Sequence, residues 1–235
     1  MRVFAISDLH LPGGDNKPMD IFGSHWEGHF EKICEDWLQK VQPEDLVLIA
    51  GDISWAMQLK DARLDLEAIG RLPGHKAILR GNHDYWWNGI TQVRSVLPQG
   101  MQAVQNDCLV YDDLVVCGSR GWTPVPPEGN LNQEDQKIFN REVMRMELSL
   151  EKGVKAAGGK PLVVMMHYPP MNEKWEDSAF TQLFERYGVC QVVYGHLHGG
   201  SVRGAYNGER NGVNYQLTSC DGLGFKLWAC PELRS

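Results

Sequence analysis

The sequence predicts a mixed α/β fold in which helices cover a sheet system. Five short apolar runs have the length of buried strands, and each ends in a polar cluster; they span residues 2–7, 46–51, 76–81, 161–167 and 190–195. Segments with the apolar spacing of helices lie among these runs, and two other segments have the pattern of antiparallel hairpins. Alternating strands and helices combined with hairpins indicate a mixed sheet with helices packed against it.

Three amphipathic helices are predicted from apolar residues that lie three or four positions apart, over 30–41, 59–69 and 139–150. Pro43 follows the first apolar stripe and is expected to stop that helix. The third helix is expected to end at Gly153, which is followed by the loop sequence AAGGKP. Helices therefore account for much of the chain between the predicted strands.

Two hairpins and one long loop complete the predicted elements. In 108–118, two apolar runs flank Asp112 and Asp113, as in a tight hairpin. In 202–220, two strand-like runs surround Asn-Gly and other turn residues, so an antiparallel element is expected near the end of the chain. Residues 121–135, rich in proline, glycine and acidic residues, are expected to form a long loop.

Length and charge restrict the class of protein. A chain of 235 residues with 43% hydrophobic and 23% charged residues fits one folded domain, predicted to span 1–235. The net charge of -7 argues against broad capture of nucleic acid or of an anionic membrane, which needs an excess of lysine and arginine on one face. A local positive site is still compatible with this acidic balance.

The chain shows no targeting or membrane segment. Asp8 interrupts the apolar start after a few residues, so the segment lacks the apolar stretch of a signal peptide, and no other run approaches the length of a membrane span. The six cysteines include no C-x-x-C pair and lie scattered through apolar runs, as reduced thiols do. We therefore expect a cytoplasmic protein without membrane attachment.

Polar clusters at the predicted strand ends carry the chemical signal. Each member has an ordinary explanation on its own: an aspartate caps a helix, an asparagine occupies a turn, a histidine is hydrogen-bonded in the core. Yet five of the eight histidines fall at these strand ends, where α/β sheets gather their ligands. The clusters supply Asp8, His10, Asp52, Asn82, His83, Asp84, His167, His196 and His198.

The cluster residues form a metal-ligand set once His83 and Asp84 are set aside. Seven nitrogen and oxygen ligands are too many for one tetrahedral zinc ion but suit two ions about 3.5–4 Å apart, bridged by a carboxylate and a hydroxide. Because the ligands mix imidazole and carboxylate, Mn, Fe or Zn is favoured. In the extended backbone expected here, His196 and His198 point to the same side, so each can offer an imidazole to one of the two ions.

The blocks D-x-H, G-D, G-N-H-[DE], a later H and G-H-x-H occur in this order over residues 8–198. In these motifs the chain resembles the calcineurin-like metallophosphoesterases, whose fold is a two-sheet sandwich flanked by helices. The resemblance implies that Asp8, His10 and His198 hold the first metal, that Asn82, His167 and His196 hold the second, and that Asp52 bridges them. Trp55 departs from the family, which usually has a polar residue there.

The resemblance also implies a reaction: hydrolysis of a phosphoester by the bridging hydroxide. His83 is expected to protonate the leaving oxygen, as the histidine of this motif does in the family, with Asp84 holding it in the charged form. A nuclease with the same metal centre is one alternative, against which the negative charge stands. A non-catalytic scaffold of the same fold is another, against which the complete ligand set stands.

A pocket for a small phosphoester is expected beside this centre. Trp86 and Trp87 follow the G-N-H-D block and Trp122 begins the long loop, so these aromatic residues are predicted to edge the pocket, with packing in the core or at its rim as the alternative. Arg141 and Arg145 lie one turn apart on the following helix, and Arg141 is a candidate phosphate ligand, with a solvated helix face as the alternative. Monoester or diester preference is not predicted.

Overall fold

The computed structural model describes residues 1–14 and 19–233. Eleven strands in this part of the chain form two sheets. They are β1 (Val3–Ile6), β2 (Leu46–Ile49), β3 (His75–Ile78), β4 (Met101–Ala103), β5 (Asp107–Val110), β6 (Val115–Gly118), β7 (Leu162–Met165), β8 (Val189–Tyr194), β9 (Gly208–Arg210), β10 (Val213–Leu217) and β11 (Trp228–Ala229). All five predicted strand runs are present, as β1, β2, β3, β7 and β8.

Each sheet has a parallel centre; the first has one antiparallel edge strand and the second has two. The first sheet has the order β11-β1-β2-β3-β4, in which β1 to β4 are parallel and β11 is antiparallel. The second sheet has the order β5-β6-β7-β8-β10-β9, in which β5 and β9 run against their neighbours. Both predicted hairpins are confirmed, as β5–β6 and β9–β10. Parallel neighbours bring the carboxyl ends of the central strands to one edge of each sheet.

Alternation along the strands separates the core into three layers. In β1, Val3 and Ala5 face the second sheet, whereas Phe4 and Ile6 face the helices. Both faces are therefore buried, which explains why the central strands appear in the sequence as continuous apolar runs and not as alternating ones. The residues between the sheets are aliphatic, among them Leu48, Val116 and Val163. The result is a two-sheet sandwich flanked by helices, as expected.

Five α-helices in the described residues cover the outer faces. They are α1 (His29–Lys40), α2 (Leu59–Gly70), α3 (Ile90–Arg94), α4 (Gln133–Ala157) and α5 (Ala179–Arg186). The first three pack on the first sheet and the last two on the second. The predicted end of the third amphipathic helix at Gly153 is wrong, because α4 continues to Ala157 and ends at Gly158 in the left-handed conformation.

Gly153 has a packing role inside α4. A β-carbon at this position would overlap the sulfur of Cys117 in β6. The glycine therefore allows the helix to approach the strand closely, and this contact offsets the conformational cost of a glycine within a helix. Within the described residues, no helix is both long and apolar enough to cross a bilayer. All six cysteines are free thiols.

Candidate metal centre

The predicted ligands converge at the carboxyl-terminal edges of the two sheets. Asp8 follows β1, Asp52 follows β2, Asn82 follows β3, His167 follows β7, and His196 and His198 follow β8. The sheets are joined at this edge, since the Ser7 amide donates to the Thr218 carbonyl at 2.8 Å and the Cys220 amide donates to the Ser7 carbonyl at 3.0 Å. This connection holds the two halves of the ligand set together.

The backbone at the ligands is strained. Asp8, His10, Asp52 and His196 have φ values of 60°, 47°, 51° and 74°, in the left-handed region that non-glycine residues disfavour. Each such residue costs on the order of 1–3 kcal/mol, so the surrounding contacts must hold it in place. Parallel loops supply those contacts: the Asp8 amide donates to the Gly51 carbonyl at 2.9 Å and the His10 amide to the Asp52 carbonyl at 3.0 Å.

Two glycines make room for the carboxylates of Asp52 and Asp8. A β-carbon on Gly81 would overlap the Asp52 carboxylate, and one on Gly195 would overlap Asp8 and Ser7. The glycine in each of the two motifs G-N-H-D and G-H-x-H is therefore required by close approach of another loop. This explains the motifs as packing constraints between segments far apart in the chain.

Gly81→Ala is expected to lower turnover by roughly 10²-fold, because a displacement of about 1 Å at a catalytic group costs that much. The new methyl group must push Asp52 away from its present position. Gly200→Ala is the matched control, since a β-carbon there meets no atom within 4 Å and its φ lies outside the left-handed region. Turnover and metal content of both variants test this; equal activity would contradict the packing role.

The first ligand group consists of Asp8, His10 and His198. The Nε2 atom of His198 lies 3.1 Å from Asp8 Oδ1 and 3.3 Å from His10 Nε2. Ligand atoms of these three residues all lie within 4.8 Å of one another. Three donor atoms that face one another at such distances match the nitrogen and oxygen set of a divalent transition metal.

The second group surrounds Asn82. Its Oδ1 atom lies 2.7 Å from His167 Nε2 and 2.8 Å from His196 Nδ1, so one amide oxygen and two ring nitrogens meet at one place. Asp52 Oδ2 lies 3.4 Å from the same His167 nitrogen. Asp8, Asp52 and His167 also offer ligand atoms within 4.8 Å of one another. The carboxylates of Asp8 and Asp52 thus lie at the junction of the two groups.

The protonation of these residues fits a site built for cations. Burial lowers the pKa of His10 to about 4, which leaves a neutral imidazole. Burial acts in the same direction on His198, but hydrogen bonds to Asp221 and Asp8 raise its pKa to about 10. His167 is likewise buried, and the Asp52 charge and hydrogen bond raise its pKa to about 9. Protons on His167 and His198 balance the charge of the nearby carboxylates, and bound metal ions would replace those protons.

Several residues that the sequence analysis did not single out orient the ligands. The carboxylate of Asp221 lies 3.0 Å from His198 Nδ1, and the Ala50 carbonyl lies 3.0 Å from His167 Nδ1. These partners direct the Nε2 atom of each histidine towards the site. Ser7 and Ser219 donate to Asp8 Oδ2 at 2.5 and 3.0 Å. Nothing in the local sequence marks them, because they contact the ligands only in the folded chain.

His83 lies beside the ligands, but Asp84 does not hold its ring, so that prediction is wrong. The buried Nδ1 atom of His83 has no hydrogen-bond partner among the residues that the structure describes. Asp84 instead accepts hydrogen bonds from the amides of Ile53, Ser54 and Gly81 at 2.8, 3.2 and 2.7 Å. Asp84 therefore ties the loop after β2 to the loop after β3. It is a positioning residue for Asp52 and Asn82.

The prediction that Trp86 and Trp87 wall the pocket is also wrong. Both side chains are 0% exposed in the core between the first sheet and its helices. Trp86 Nε1 donates to Asp84 at 3.0 Å and Trp87 Nε1 donates to Gln105 at 2.7 Å. Each indole group buries a large apolar area, and its one N–H group has a hydrogen-bond acceptor. The two side chains therefore support the G-N-H-D loop from the core side.

The predicted loop over 121–135 ends at residue 132, because α4 begins at Gln133, and it lies on the His196 side of the centre. Trp122 Nε1 donates to Asp135 at 3.0 Å, and its ring lies 5.3 Å from Tyr168, whose ring is 4.3 Å from His196. Other loop residues line a cavity of about 540 Å³ together with His196; they include Thr123, Pro124, Pro126 and Leu131. The position of the loop agrees with a pocket edge, and contact of Trp122 with substrate stays a prediction.

The arginine predicted as a phosphate ligand, Arg141, is not the one that lies nearest the ligand loops; Arg120 and Arg80 adjoin those loops. The Arg141 side chain is 51% exposed and lies 4.0 Å from Glu142, so its role in phosphate binding stays a prediction without a supporting contact. Arg120 stacks on Trp122 at 4.9 Å, and its carbonyl accepts from the His167 amide at 3.0 Å. Arg80 is half-buried directly before Gly81, and its Nε atom is unpaired within the described part of the chain. Neither arginine was predicted from the sequence.

Comparison with known proteins identifies the family. The family model described as calcineurin-like phosphoesterase matches residues 1–200. The chain belongs to the calcineurin-like phosphoesterases. Members of this family are hydrolases that use divalent metals, so this phosphoesterase is assigned as an enzyme of that class. The resemblance inferred from the D-x-H, G-D, G-N-H-D and G-H-x-H blocks is confirmed.

Two individual proteins are similar to the chain at low sequence identity. The phosphoesterase is similar to the Gene 66 protein of Mycobacterium phage D29, with 25% identity over 214 residues, which cover 89% of this chain and 84% of the phage protein. A solved structure, a protein of unknown function designated AQ665 from Aquifex aeolicus, matches with a TM-score of 0.49 at 14% identity. That match covers 97% of this chain and 95% of the Aquifex chain.

Proposed function

We propose that this phosphoesterase hydrolyses a small phosphoester at a centre of two divalent metal ions. The position of Asp52 is the observation that carries the proposal. Its Oδ2 atom lies between the two ligand groups, 3.8 Å from His10 Nε2 and 3.4 Å from His167 Nε2. A carboxylate in this position can contact an ion in each group. The mixed imidazole, amide and carboxylate donors favour Mn, Fe or Zn.

Divalent ions in this ligand set would supply a water of lowered pKa and would neutralise charge on the phosphoryl oxygens. The protein's own part is to hold seven ligands in one geometry and to exclude most solvent from Asp8, Asp52 and His167, which are 0–1% exposed. Arg80 and Arg120 add positive charge on the side of His167. Together these groups attract an anionic phosphoryl group although the whole chain is acidic.

His83 is the proposed general acid. Its backbone amide donates to Asp52 Oδ1 at 2.8 Å, which fixes the residue beside the bridging carboxylate, and its ring lies 5.7 Å from the His10 ring. The ring is half-buried and can donate a proton to the leaving oxygen of an ester held between the two ligand groups. The imidazole is used for proton transfer in this proposal and not for metal binding.

A small substrate is favoured over a nucleic acid by charge. At a net charge of -7 the chain repels long polyanions, and the described residues around the centre show no stripe of lysine and arginine. A nuclease would need contacts to several successive phosphates. Monoester and diester substrates both fit this description, and we propose neither in preference to the other.

Metal content is the direct test of the centre. Protein purified without chelator and reconstituted with Mn is expected to contain close to two ions per chain, and chelation is expected to abolish hydrolysis. A content near one ion per chain would contradict the dinuclear proposal, and a content near zero would contradict any metal site here. Inductively coupled plasma mass spectrometry measures the content on the same sample that is assayed.

A substrate panel tests the reaction. The Mn-loaded protein is expected to hydrolyse mononucleotides, sugar phosphates or small diesters faster, per bond, than long DNA or RNA. Faster degradation of long nucleic acid than of any small phosphoester would favour the nuclease alternative. Loss of all activity in a fully metal-loaded sample would favour a binding role for the fold.

A further inference from the structure

A second cavity opens beside the centre and shares no lining residue with the cavity that His196 and the loop after Trp122 line. Its volume is about 290 Å³, and three of its lining residues, His10, His83 and His198, belong to the metal centre and the proposed acid. The other walls are mainly apolar, formed by Met19, Trp26 and Trp55. We call it the Trp55 cavity. We propose that it binds the leaving group of the substrate, and that this group carries a flat aromatic ring.

The assignment of this cavity to the leaving group follows from the proposed role of His83 as general acid. To that extent this inference rests on the proposed function. A general acid must lie within hydrogen-bond reach of the leaving oxygen. The leaving group is then on the His83 side of the phosphorus atom, and the Trp55 cavity is the space that His83 lines. The phosphoryl group itself remains at the ligands, nearer Arg80 and Arg120.

The aromatic walls determine the shape of the ligand. Trp55 stacks on His10 with ring centroids 4.8 Å apart and 20° between the planes, and its centroid is 4.6 Å from that of His83. Trp26 is 4% exposed and lies 6.0 Å from His198, held edge-on against Phe225 at 5.2 Å. Such rigid walls favour a planar ring, which gains stacking and edge contacts that a puckered ring cannot make.

Trp55 is the residue at which the chain departs from its family. The usual polar residue in this motif would leave His10 without a stacking partner and would leave the cavity without its apolar wall. The Trp55 indole is fixed, since its Nε1 atom donates to the Met19 sulfur at 3.1 Å. Tryptophan at position 55 therefore adds an aromatic surface that can contact the leaving group, and it leaves the candidate metal ligands unchanged.

Charge and size define the ligand further. Among the described residues that line the cavity, none is a lysine or an arginine. The carboxylate of Asp221 is already used, because it accepts from the Gly199 amide at 2.8 Å and lies 3.0 Å from His198 Nδ1. The described lining therefore presents histidines, among them His25, and no lysine or arginine to the ring. Since a cavity of about 150 Å³ can hold benzene, the Trp55 cavity has room for a single aromatic ring or for two fused rings.

Two phosphonates that resist hydrolysis test the ring preference apart from catalysis. Benzylphosphonate and cyclohexylmethylphosphonate have the same connectivity and differ in the planarity of the ring. Titration calorimetry with the Mn-loaded protein is expected to show about 10-fold tighter binding of the benzyl compound, the usual scale of aromatic stacking. Equal affinities of the wild-type protein for the two compounds would overturn the inference.

Variants of Trp55 assign the preference to the cavity. Trp55→Leu is expected to reduce the ratio to within about 2-fold, while Trp55→Phe, which keeps a ring, retains most of it. Trp175→Leu is the matched control, because Trp175 is 45% exposed and lies outside the cavity lining. Metal content is measured for every variant. An unchanged ratio in metal-loaded Trp55→Leu would overturn the role of this wall.

Substrates separate this inference from the proposed function. Benzyl phosphate and cyclohexylmethyl phosphate have alcohols of similar acidity, so a lower KM for the benzyl ester reports recognition. Hydrolysis of both esters with equal KM would leave the proposed function standing and overturn the inference. Hydrolysis of neither ester, together with no hydrolysis of any small phosphoester in the panel by the loaded enzyme, would overturn the proposed function, and the phosphonate affinities would still decide on the ring.

The source of the ring is decided by a further pair of substrates. Adenosine 5'-monophosphate and ribose 5-phosphate share the sugar phosphate and differ in the base. A lower KM for the nucleotide that depends on Trp55 would identify a nucleobase as the ring. The same dependence confined to benzyl phosphate would identify a simple aryl alcohol. Each outcome supports an aromatic leaving group.

Discussion

Replacing Asp52 by asparagine is expected to lower both metal occupancy and turnover, the latter on the order of 10³-fold. The carboxylate is 1% exposed and its Oδ2 atom faces the histidines of both ligand groups. An amide has no charge with which to balance two divalent ions, and its NH₂ group would point either at the ligands or at the His83 amide. The stabilisation that such ions give a transition state is several kcal/mol, and about 1.4 kcal/mol corresponds to tenfold in rate.

Asp45→Asn is the matched control for this change. Asp45 is a buried carboxylate outside the centre, 2% exposed and paired with Arg2 at 2.6 Å. Its replacement is expected to lower thermal stability without changing the number of ions per chain. Metal analysis, steady-state kinetics and thermal unfolding of both variants make the comparison. Full metal content together with wild-type turnover in Asp52→Asn would contradict the bridging assignment.

Replacing His83 by alanine is expected to keep the metals and to lower turnover by roughly 10²- to 10⁴-fold, the usual contribution of a general acid. The change removes only the ring, because the contact to Asp52 is made by the backbone amide at 2.8 Å. The deficit is expected to shrink for an ester with a very acidic alcohol, since that leaving group needs little protonation. A series of esters with alcohols of increasing acidity measures this trend.

His75→Ala is the control for the histidine substitution, because His75 is exposed at the start of β3. It is expected to retain wild-type turnover with every ester. A deficit in His83→Ala that is the same for all leaving groups would argue against proton transfer. Loss of metal with unchanged activity per bound ion would make His83 a support for the ligands instead.

Much of the fold could be predicted because its signals are local. Buried strands such as β2 and β7 appear as continuous apolar runs, and the turn at Asn211–Gly212 marks the hairpin of β9 and β10. The short elements β4, β11, α3 and α5 were not predicted. They have two to eight residues each, too few for periodicity to show. Gly153 was interpreted as a break, since the sequence does not show that β6 lies against it.

The ligands could be predicted because each follows a strand and the spacing within each block is short. The supporting residues could not. Asp221 reaches His198 from 23 positions away, and Ser219 reaches Asp8 from 211 positions away. Trp86 and Trp87 misled the prediction for the same reason, since an aromatic residue next to a motif can face either the pocket or the core. Only the packing of the α-helices on the first sheet decides between these two environments.

By itself, the sequence determined the family, the seven candidate ligands and the type of sheet, because all three depend on residue identity and on spacing within short segments. Only the tertiary structure decided that Asp84 ties two loops together and that Trp26 and Trp55 form a wall beside His83. These residues come from separate segments, and their contacts exist only where the strand ends of both sheets meet. The candidate metal ligands can therefore be predicted from short segments of sequence. The proposed selection of a leaving group depends instead on contacts that only the folded chain creates.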